Sequence, residues 1–442
     1  MNVKIFPRKL SGRLSAPPSK SHAHRVLIAQ KLAQLQKNGA HTSDDIPSFS
    51  QDIEATKNCL VQLDKAKPFL DCKESGSTLR FMLPVAMALK DEAVFMGSGK
   101  LPSRPISPLK EEMERNGCCF TMGRDLNRAG GSRYKEICSI RGRLQPGAYR
   151  LAGNISSQFI TGLLMALPIL DGDSTLELTT ELESAGYVDL TLDVLRDFGI
   201  DIQISTSVDG FLLYSIKGNQ RYTEPVKIAI QGDWSNAAFW LAAGALGGNV
   251  TLTGLDITSS QRDREIADIL QQMGANITTG ASNSPKDAND AKSADSENFS
   301  DAASITCSGG QLHGIETDVS QIPDLVPVLA AVMALSEGTS MITNAERLRI
   351  KESDRLHTVF DMLSRLGADI TDGGSGLSIT GLPFLNGGAV DGHNDHRIVM
   401  AAAIASCGCD SPVLIRGAEA VNKSYPTFFE DFAALGGEVR KV

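Results

Sequence analysis

Five times along the chain an amphipathic helix runs into a glycine and a short strand follows. The copies are Met113–Phe120 around Gly117, Leu195–Ile202 around Gly199, Leu270–Ile277 around Gly274, Leu363–Ile370 around Gly367 and Phe432–Val439 around Gly436. Glycine tolerates the left-handed backbone that closes a helix, so each copy predicts a helix stop and a turn into a strand. A spacing of roughly 70–90 residues is far longer than a solenoid repeat and fits a whole α/β unit. The longest interval contains Ser282–Ser300, rich in Ser, Asn, Asp and Ala, which reads as a solvated surface insertion.

A second helix type precedes each copy. Ala-rich, apolar helices are expected to begin near Ser21, Gly76, Ser157, Ser235, Asp324 and His396. They are apolar nearly all round, so each should be buried. Strands are expected after most of them, at Ala93–Met96, Thr175–Thr179, Asn249–Thr253, Thr339–Thr343 and Pro412–Arg416. Six buried helices imply six α/β units, the first degenerate in its second half, arranged as two domains of three.

Composition narrows the classes. The 442 residues carry a formal net charge of -9, which argues against a nucleic-acid protein. Apolar runs such as Val326–Leu335 fall short of the roughly 20 residues a bilayer span needs. The N-terminus lacks the apolar stretch of a secretory signal. Eight cysteines contain no Cys-x-x-Cys pair, so they read as reduced thiols of a cytoplasmic chain rather than a zinc site, with Cys118, Cys119, Cys407 and Cys409 as small core fillers. Neither a Walker loop nor Gly-x-Gly-x-x-Gly is present.

The charges sit oddly. Lys20, Arg25, Arg80 and Arg397 fall in the first turns of the apolar helices, where the helix dipole disfavours cations. Ser, Asp and Asn at the same ends are ordinary caps. The cations call for something anionic, and a helix N-terminus with Ser hydroxyls and an Arg is suited to phosphate or carboxylate. The densest constellation, Arg349-Ile-Lys351-Glu352-Ser353-Asp354-Arg355, leads into an amphipathic helix and could present several charges to one ligand or simply form a charged helix start.

Eight motifs appear in order: Pro18-Ser-Lys20-Ser21-His-Ala-His-Arg25, Glu74-Ser-Gly76-Ser77-Thr-Leu-Arg80, Ser103-Arg104-Pro105, Asn154-Ile-Ser156-Ser157-Gln158, Ile322-Pro-Asp324, Arg349 to Arg355, Asn394-Asp395-His396-Arg397 and Lys423-Ser-Tyr-Pro426. Together they resemble the 5-enolpyruvylshikimate-3-phosphate synthase family over nearly the whole chain. The resemblance implies a two-domain inverted α/β barrel, each domain three βαβαββ units with buried helices inside. It places one domain at 19–230 and the other at 1–18 with 231–442. It also implies transfer of the enolpyruvyl group of phosphoenolpyruvate to shikimate 3-phosphate.

Residue roles follow from the same resemblance. Lys20, Ser21, Arg25, Ser156, Ser157, Gln158, Ser184, Tyr187, Asp324 and Lys351 would hold shikimate 3-phosphate. Lys20, Gly76, Arg104, Gln158, Arg355, Arg397 and Lys423 would hold phosphoenolpyruvate. Asp324 would take the proton of the attacking hydroxyl, Glu352 would move the methyl proton, and Lys20 would serve the departing phosphate. These cations are expected to converge on one cleft. No cofactor and no metal is implied. The partners are the two small-molecule substrates, with no nucleic acid, no membrane and a monomeric chain.

Some positions depart from the family pattern. Arg347 stands where many members have an Asn that touches the shikimate ring, and Phe81 where many have Pro. Gly76 is the form associated with glyphosate sensitivity. The sister transferase acting on UDP-N-acetylglucosamine typically carries a Cys five residues before the Arg matching Arg104; Gly99 stands there. A non-catalytic receptor for phosphorylated metabolites would need neither Asp324 nor Glu352.

Overall fold

Gly117, Gly199, Gly274, Gly367 and Gly436 all adopt positive φ, between 76° and 106°. A side chain there would crowd the following carbonyl, so glycine is the residue that lets the helix end. Each is followed within three residues by a strand: Cys119–Met122, Ile202–Thr206, Asn276–Gly280, Asp369–Asp372 and Glu438–Lys441. The computed structural model describes residues 1–36, 46–123, 134–280 and 304–442. The insertion expected at Ser282–Ser300 lies outside the described residues.

The apolar helices are α1 (Lys20–Gln36), α2 (Gly76–Leu89), α3 (Ser157–Ala166), α4 (Trp234–Ala245), α5 (Val326–Met333) and α6 (His396–Ala405). α2 to α6 are buried on nearly every face. Their Ala and Gly residues let neighbours approach closely, and their backbone bonds are satisfied within the helix. Asp324 precedes α5 in a short 3-10 turn, Pro323–Leu325.

Among the described residues there are five four-stranded sheets that share one strand order. The first strand pairs parallel with the second, the second antiparallel with the fourth, and the fourth with the third. In one sheet these are Phe69–Asp71, Glu92–Ser98, Tyr134–Arg141 and Cys119–Met122. A parallel pair needs a crossover, and the buried helix supplies it.

The chain divides into two compact units, Lys20–Lys227 and Met1–Ser19 with Ile228–Val442. The first holds two of the sheets. Its opening repeat keeps α1 and the helix Gln51–Gln62 but, among the described residues, no sheet of its own. The other unit holds three sheets, two of them completed by the N-terminal strands. Ser11–Ser15 pairs parallel with Asn249–Thr253, so the whole of Lys20–Lys227 is inserted between that strand and α4. Asn2–Phe6 lies between Val413–Arg416 and Glu438–Lys441, antiparallel to both. The N-terminus therefore supplies the missing fourth strand of the last repeat.

All eight cysteines are free thiols. Seven are buried, but Cys119 is exposed on its strand, so the expectation of a core filler fails at that position. No helix among the described residues is long and apolar enough to cross a membrane.

Candidate active site

In the unit Lys20–Lys227, most of the expected site residues lie at the N-terminal turns of α1, α2 and α3, with Ser184 and Tyr187 at the start of the helix Ala185–Asp197 and Arg104 in the loop after Leu101–Ser103. Lys20 Nζ pairs with Asp52 Oδ2 at 2.8 Å. Arg25 is buried and donates to four protein oxygens: Nε to Thr191 Oγ1 at 2.8 Å, Nη1 to the Ser21 carbonyl at 2.5 Å, and Nη2 to the Tyr187 carbonyl at 2.7 Å and Thr161 Oγ1 at 3.3 Å. Burial pushes its pKa down to about 9. Among the described residues Arg25 has no carboxylate partner, and it holds the Ser21 and Tyr187 backbones in place.

Gly76 opens α2 behind the capping hydroxyl of Ser75, which accepts from the Thr78 amide at 3.2 Å. A Cβ on Gly76 would lie 2.7 Å from Arg104 Nη1 and from Arg80 Nη1. The missing side chain is what lets two guanidiniums crowd one helix start. Arg80 Nη1 donates to Gln158 Oε1 at 3.0 Å, its Nη2 to the Pro105 carbonyl at 3.1 Å, and Gln158 Nε2 to Ser77 Oγ at 2.9 Å. Ser156 stands at the N-cap of α3 without a capping side-chain bond, and Ser157 is buried behind it. Ser184 is buried at φ 56°, an uncommon backbone for a non-glycine residue, at the start of the helix Ala185–Asp197.

In the other unit, Asp324, Lys351, Glu352, Arg355 and Arg397 form one charged cluster. Arg355 Nη1 reaches Asp324 Oδ1 at 2.7 Å, its Nη2 reaches Glu352 Oε2 at 2.7 Å, and its Nε reaches Asp395 Oδ2 at 2.9 Å. Arg397 Nη2 reaches Asp324 Oδ2 at 3.2 Å, and Lys351 Nζ lies 3.5 Å from Asp324 Oδ1. Burial works against the charge on Arg355, but Asp395, Glu352 and Asp324 more than offset it and hold the guanidinium above its ordinary pKa. Burial pushes the Lys351 ammonium down against the pull of Asp324, with Arg355 and Arg347 adding to the depression. Arg347 is thus an electrostatic neighbour of Lys351. Lys423 Nζ donates to the Asn394 carbonyl at 2.7 Å, one residue before Asp395.

Arg355 begins the helix Arg355–Arg365, capped by Asp354. Lys351 therefore lies outside the helix, and its like-charge repulsion with Arg355 is not the i,i+4 contact of a helix face. Arg349 binds Asp372 at 2.9 Å and Asp354 at 3.2 Å, and so braces the cap.

Some of the helix-end cations have carboxylate partners within the chain as well. Asp52 meets Lys20, while Asp324, Glu352 and Asp395 meet Arg355 and Arg397. The protein neutralises much of its own site. Asp52 was not anticipated from the sequence, because an acidic residue in a first helix turn looks like an ordinary dipole complement. Asp263 was missed for a different reason. It lies more than 25 residues from the nearest motif, yet its Oδ2 accepts from Ser235 Oγ inside the unit. Burial, reinforced by Asp324, pushes its pKa up to about 6. Among the described residues no group of three or more His, Cys, Asp or Glu is arranged to hold a metal ion.

The family model for EPSP synthase (3-phosphoshikimate 1-carboxyvinyltransferase) matches residues 62–432. The chain belongs to the EPSP synthase family. The 3-phosphoshikimate 1-carboxyvinyltransferases of Clostridium novyi and Clostridium acetobutylicum are 42% and 41% identical to it, over 99% of this chain and 98% of each relative. A solved EPSP synthase from Acinetobacter baumannii covers 100% of both chains with TM-score 0.74 and 25% identity. The enolpyruvyl transferase NikO from Streptomyces tendae shares the fold, with TM-score 0.67 and 17% identity over 99% of this chain and 98% of that one. As a member of the EPSP synthase family the chain is an enzyme, a transferase with the family's α/β architecture. Its reaction is the EPSP synthase reaction of the shikimate pathway, transfer of an enolpyruvyl group from phosphoenolpyruvate to shikimate 3-phosphate.

Proposed function

We propose that the two charged groups divide the EPSP synthase reaction between them. The observation that carries this is Arg355, one buried guanidinium bonded at 2.7 Å to both Asp324 and Glu352. A fork of this kind suits a substrate carboxylate, and it sets two candidate proton carriers beside it. Arg355 and Arg397 take the carboxylate of phosphoenolpyruvate. Lys20, Arg104, Gln158 and Lys423 take its phosphate, which the open helix start at Gly76 admits. Ser21, Ser156, Ser157, Ser184, Tyr187 and Lys351 bind shikimate 3-phosphate, on a backbone fixed by Arg25.

In the addition, the 5-hydroxyl oxygen bonds to C2 of phosphoenolpyruvate and its proton passes to Asp324. Glu352 delivers a proton to C3, turning the methylene into a methyl. In the elimination, Glu352 takes a methyl proton back, the double bond re-forms, and the bond from C2 to the phosphate oxygen breaks. Lys20 protonates the departing phosphate. Protons balance over the cycle once Asp324 returns its proton to solvent and Lys20 regains one. Each transfer requires a group within hydrogen-bond reach of the reacting atom.

The test is phosphate release from phosphoenolpyruvate with shikimate 3-phosphate, set beside UDP-N-acetylglucosamine. Release only with shikimate 3-phosphate is expected. Release only with the sugar nucleotide would overturn the assignment.

A further inference from the structure

His24 belongs to the first motif, but the reaction gives it no task. Its ring is buried, edge-on to Phe81 with centroids 6.2 Å apart. Its Nδ1 lies 2.7 Å from Thr56 Oγ1, Thr56 Oγ1 lies 2.6 Å from Thr78 Oγ1, and Thr78 Oγ1 lies 2.8 Å from Ser75 Oγ and 3.4 Å from the Asp52 carbonyl. This is a buried wire of hydroxyls with the imidazole at one end. At the other end stand the cap of the Gly76 helix and the residue that pairs with Lys20.

We propose that His24 is a positioning residue for the substrate site, acting through Thr56 and Thr78 on Ser75 and Asp52. The proposal rests on the assignment of Lys20 and Gly76 to that site.

The wire has a preferred direction. Each hydroxyl has one proton to give, and the Asp52 carbonyl can only accept. A proton on His24 Nδ1 is therefore passed down as donations from Thr56 and then from Thr78. Among the described residues His24 Nε2 has no hydrogen-bond partner. Buried N–H groups without an acceptor are rare, so the proton belongs on Nδ1 and the bare lone pair on Nε2. Burial, with Lys20 and Arg25 nearby, pushes the imidazole well below its usual pKa and keeps it neutral. A neutral ring four residues after Lys20 also leaves the ammonium to its pairing with Asp52.

Thr78→Val cuts the wire while keeping the side-chain shape, and His24→Leu removes its source. His24→Asn keeps a side-chain amide near the Nδ1 position. KM for phosphoenolpyruvate should rise about tenfold in Thr78→Val and His24→Leu, with kcat within about threefold, and His24→Asn should restore much of it. Nitrogen-15 spectra should show His24 as the neutral Nδ1–H form throughout pH 5.5–8. Should His24→Leu fail to fold, Thr78→Val carries the test alone. Lys20→Met and Gly76→Ala serve as references. If they alter KM and Thr78→Val does not, the wire is refuted and the site stands. If none of the three alters KM, the site assignment falls and the wire with it.

Discussion

Arg355 and Asp395 form a pair with almost no solvent contact. Nε meets Oδ2 at 2.9 Å and Nη2 meets Oδ1 at 3.3 Å, with the Asp395 side chain 0% exposed and the Arg355 side chain 1%. Asp395 also accepts from Ser353 Oγ at 2.9 Å and caps α6 through the Arg397 amide at 3.0 Å. One carboxylate thus orients both arginines assigned to the phosphoenolpyruvate carboxylate. Removing one partner of a buried pair costs about 3–5 kcal/mol when the other is left charged and unpaired. Arg355 would keep Asp324 and Glu352, so Asp395→Ala should lower the unfolding free energy by about 3 kcal/mol, the lower end of that range. Denaturant unfolding would check it, and a loss below about 1 kcal/mol would show that the pair does not hold the site together.

Glu352→Gln keeps the side-chain shape but cannot take up and return a proton. Its kcat should fall by on the order of 10²–10⁴ while substrate binding changes little. Steady-state phosphate release and a direct binding measurement separate the two effects. An unchanged kcat would remove Glu352 from proton transfer.

Gly76→Ala would set a methyl group 2.7 Å from Arg104 Nη1 and Arg80 Nη1. Both atoms are the ends of flexible side chains, so the guanidiniums should move and the fold should survive. KM for phosphoenolpyruvate should rise about tenfold, equivalent to about 1.4 kcal/mol, with an unaltered melting temperature. An unchanged KM would mean that neither guanidinium binds that substrate.

Asp263 makes stability depend on pH. Its folded pKa, raised to about 6 by burial and then by Asp324, lies above the ordinary 3.8. The folded state then binds the extra proton between those values. Its contribution is most favourable below about pH 4 and declines as pH rises to about 6. Asp263→Asn, which can still accept from Ser235, should gain stability relative to the parent as pH climbs through that window, and the gain should level off above it. Denaturant unfolding from pH 4 to 8 measures the difference. A gain that does not vary with pH would show that Asp263 stays ionised throughout.

Much of the fold was legible because its signals are local. A glycine after an amphipathic stretch, or an apolar run that begins with Ser or Asp, acts within one helical turn. The strands Asn249–Thr253 and Thr339–Thr343 occur at the expected residues for the same reason. The charged motifs were legible as charge out of place at helix ends. Their partners were not. Asp52 lies 32 residues from Lys20, Asp395 lies 40 from Arg355, and Thr191 lies 166 from Arg25. No periodicity encodes such pairings.

The sequence by itself determined the repeat, the buried helices and the family, because helix stops, apolar periodicity and ordered motifs are properties of short segments. Only the tertiary structure decided which strands share a sheet and which carboxylate answers which cation. Strand Asn2–Phe6 could have paired with any exposed edge, and it pairs between Val413–Arg416 and Glu438–Lys441 because those two strands leave its place open. Lys20, Arg355 and Arg397 could equally have stood without carboxylates of the chain beside them. A charge placed beside a buried helix must be matched nearby, and the packing of distant segments chose Asp52, Asp324, Glu352 and Asp395 to do so.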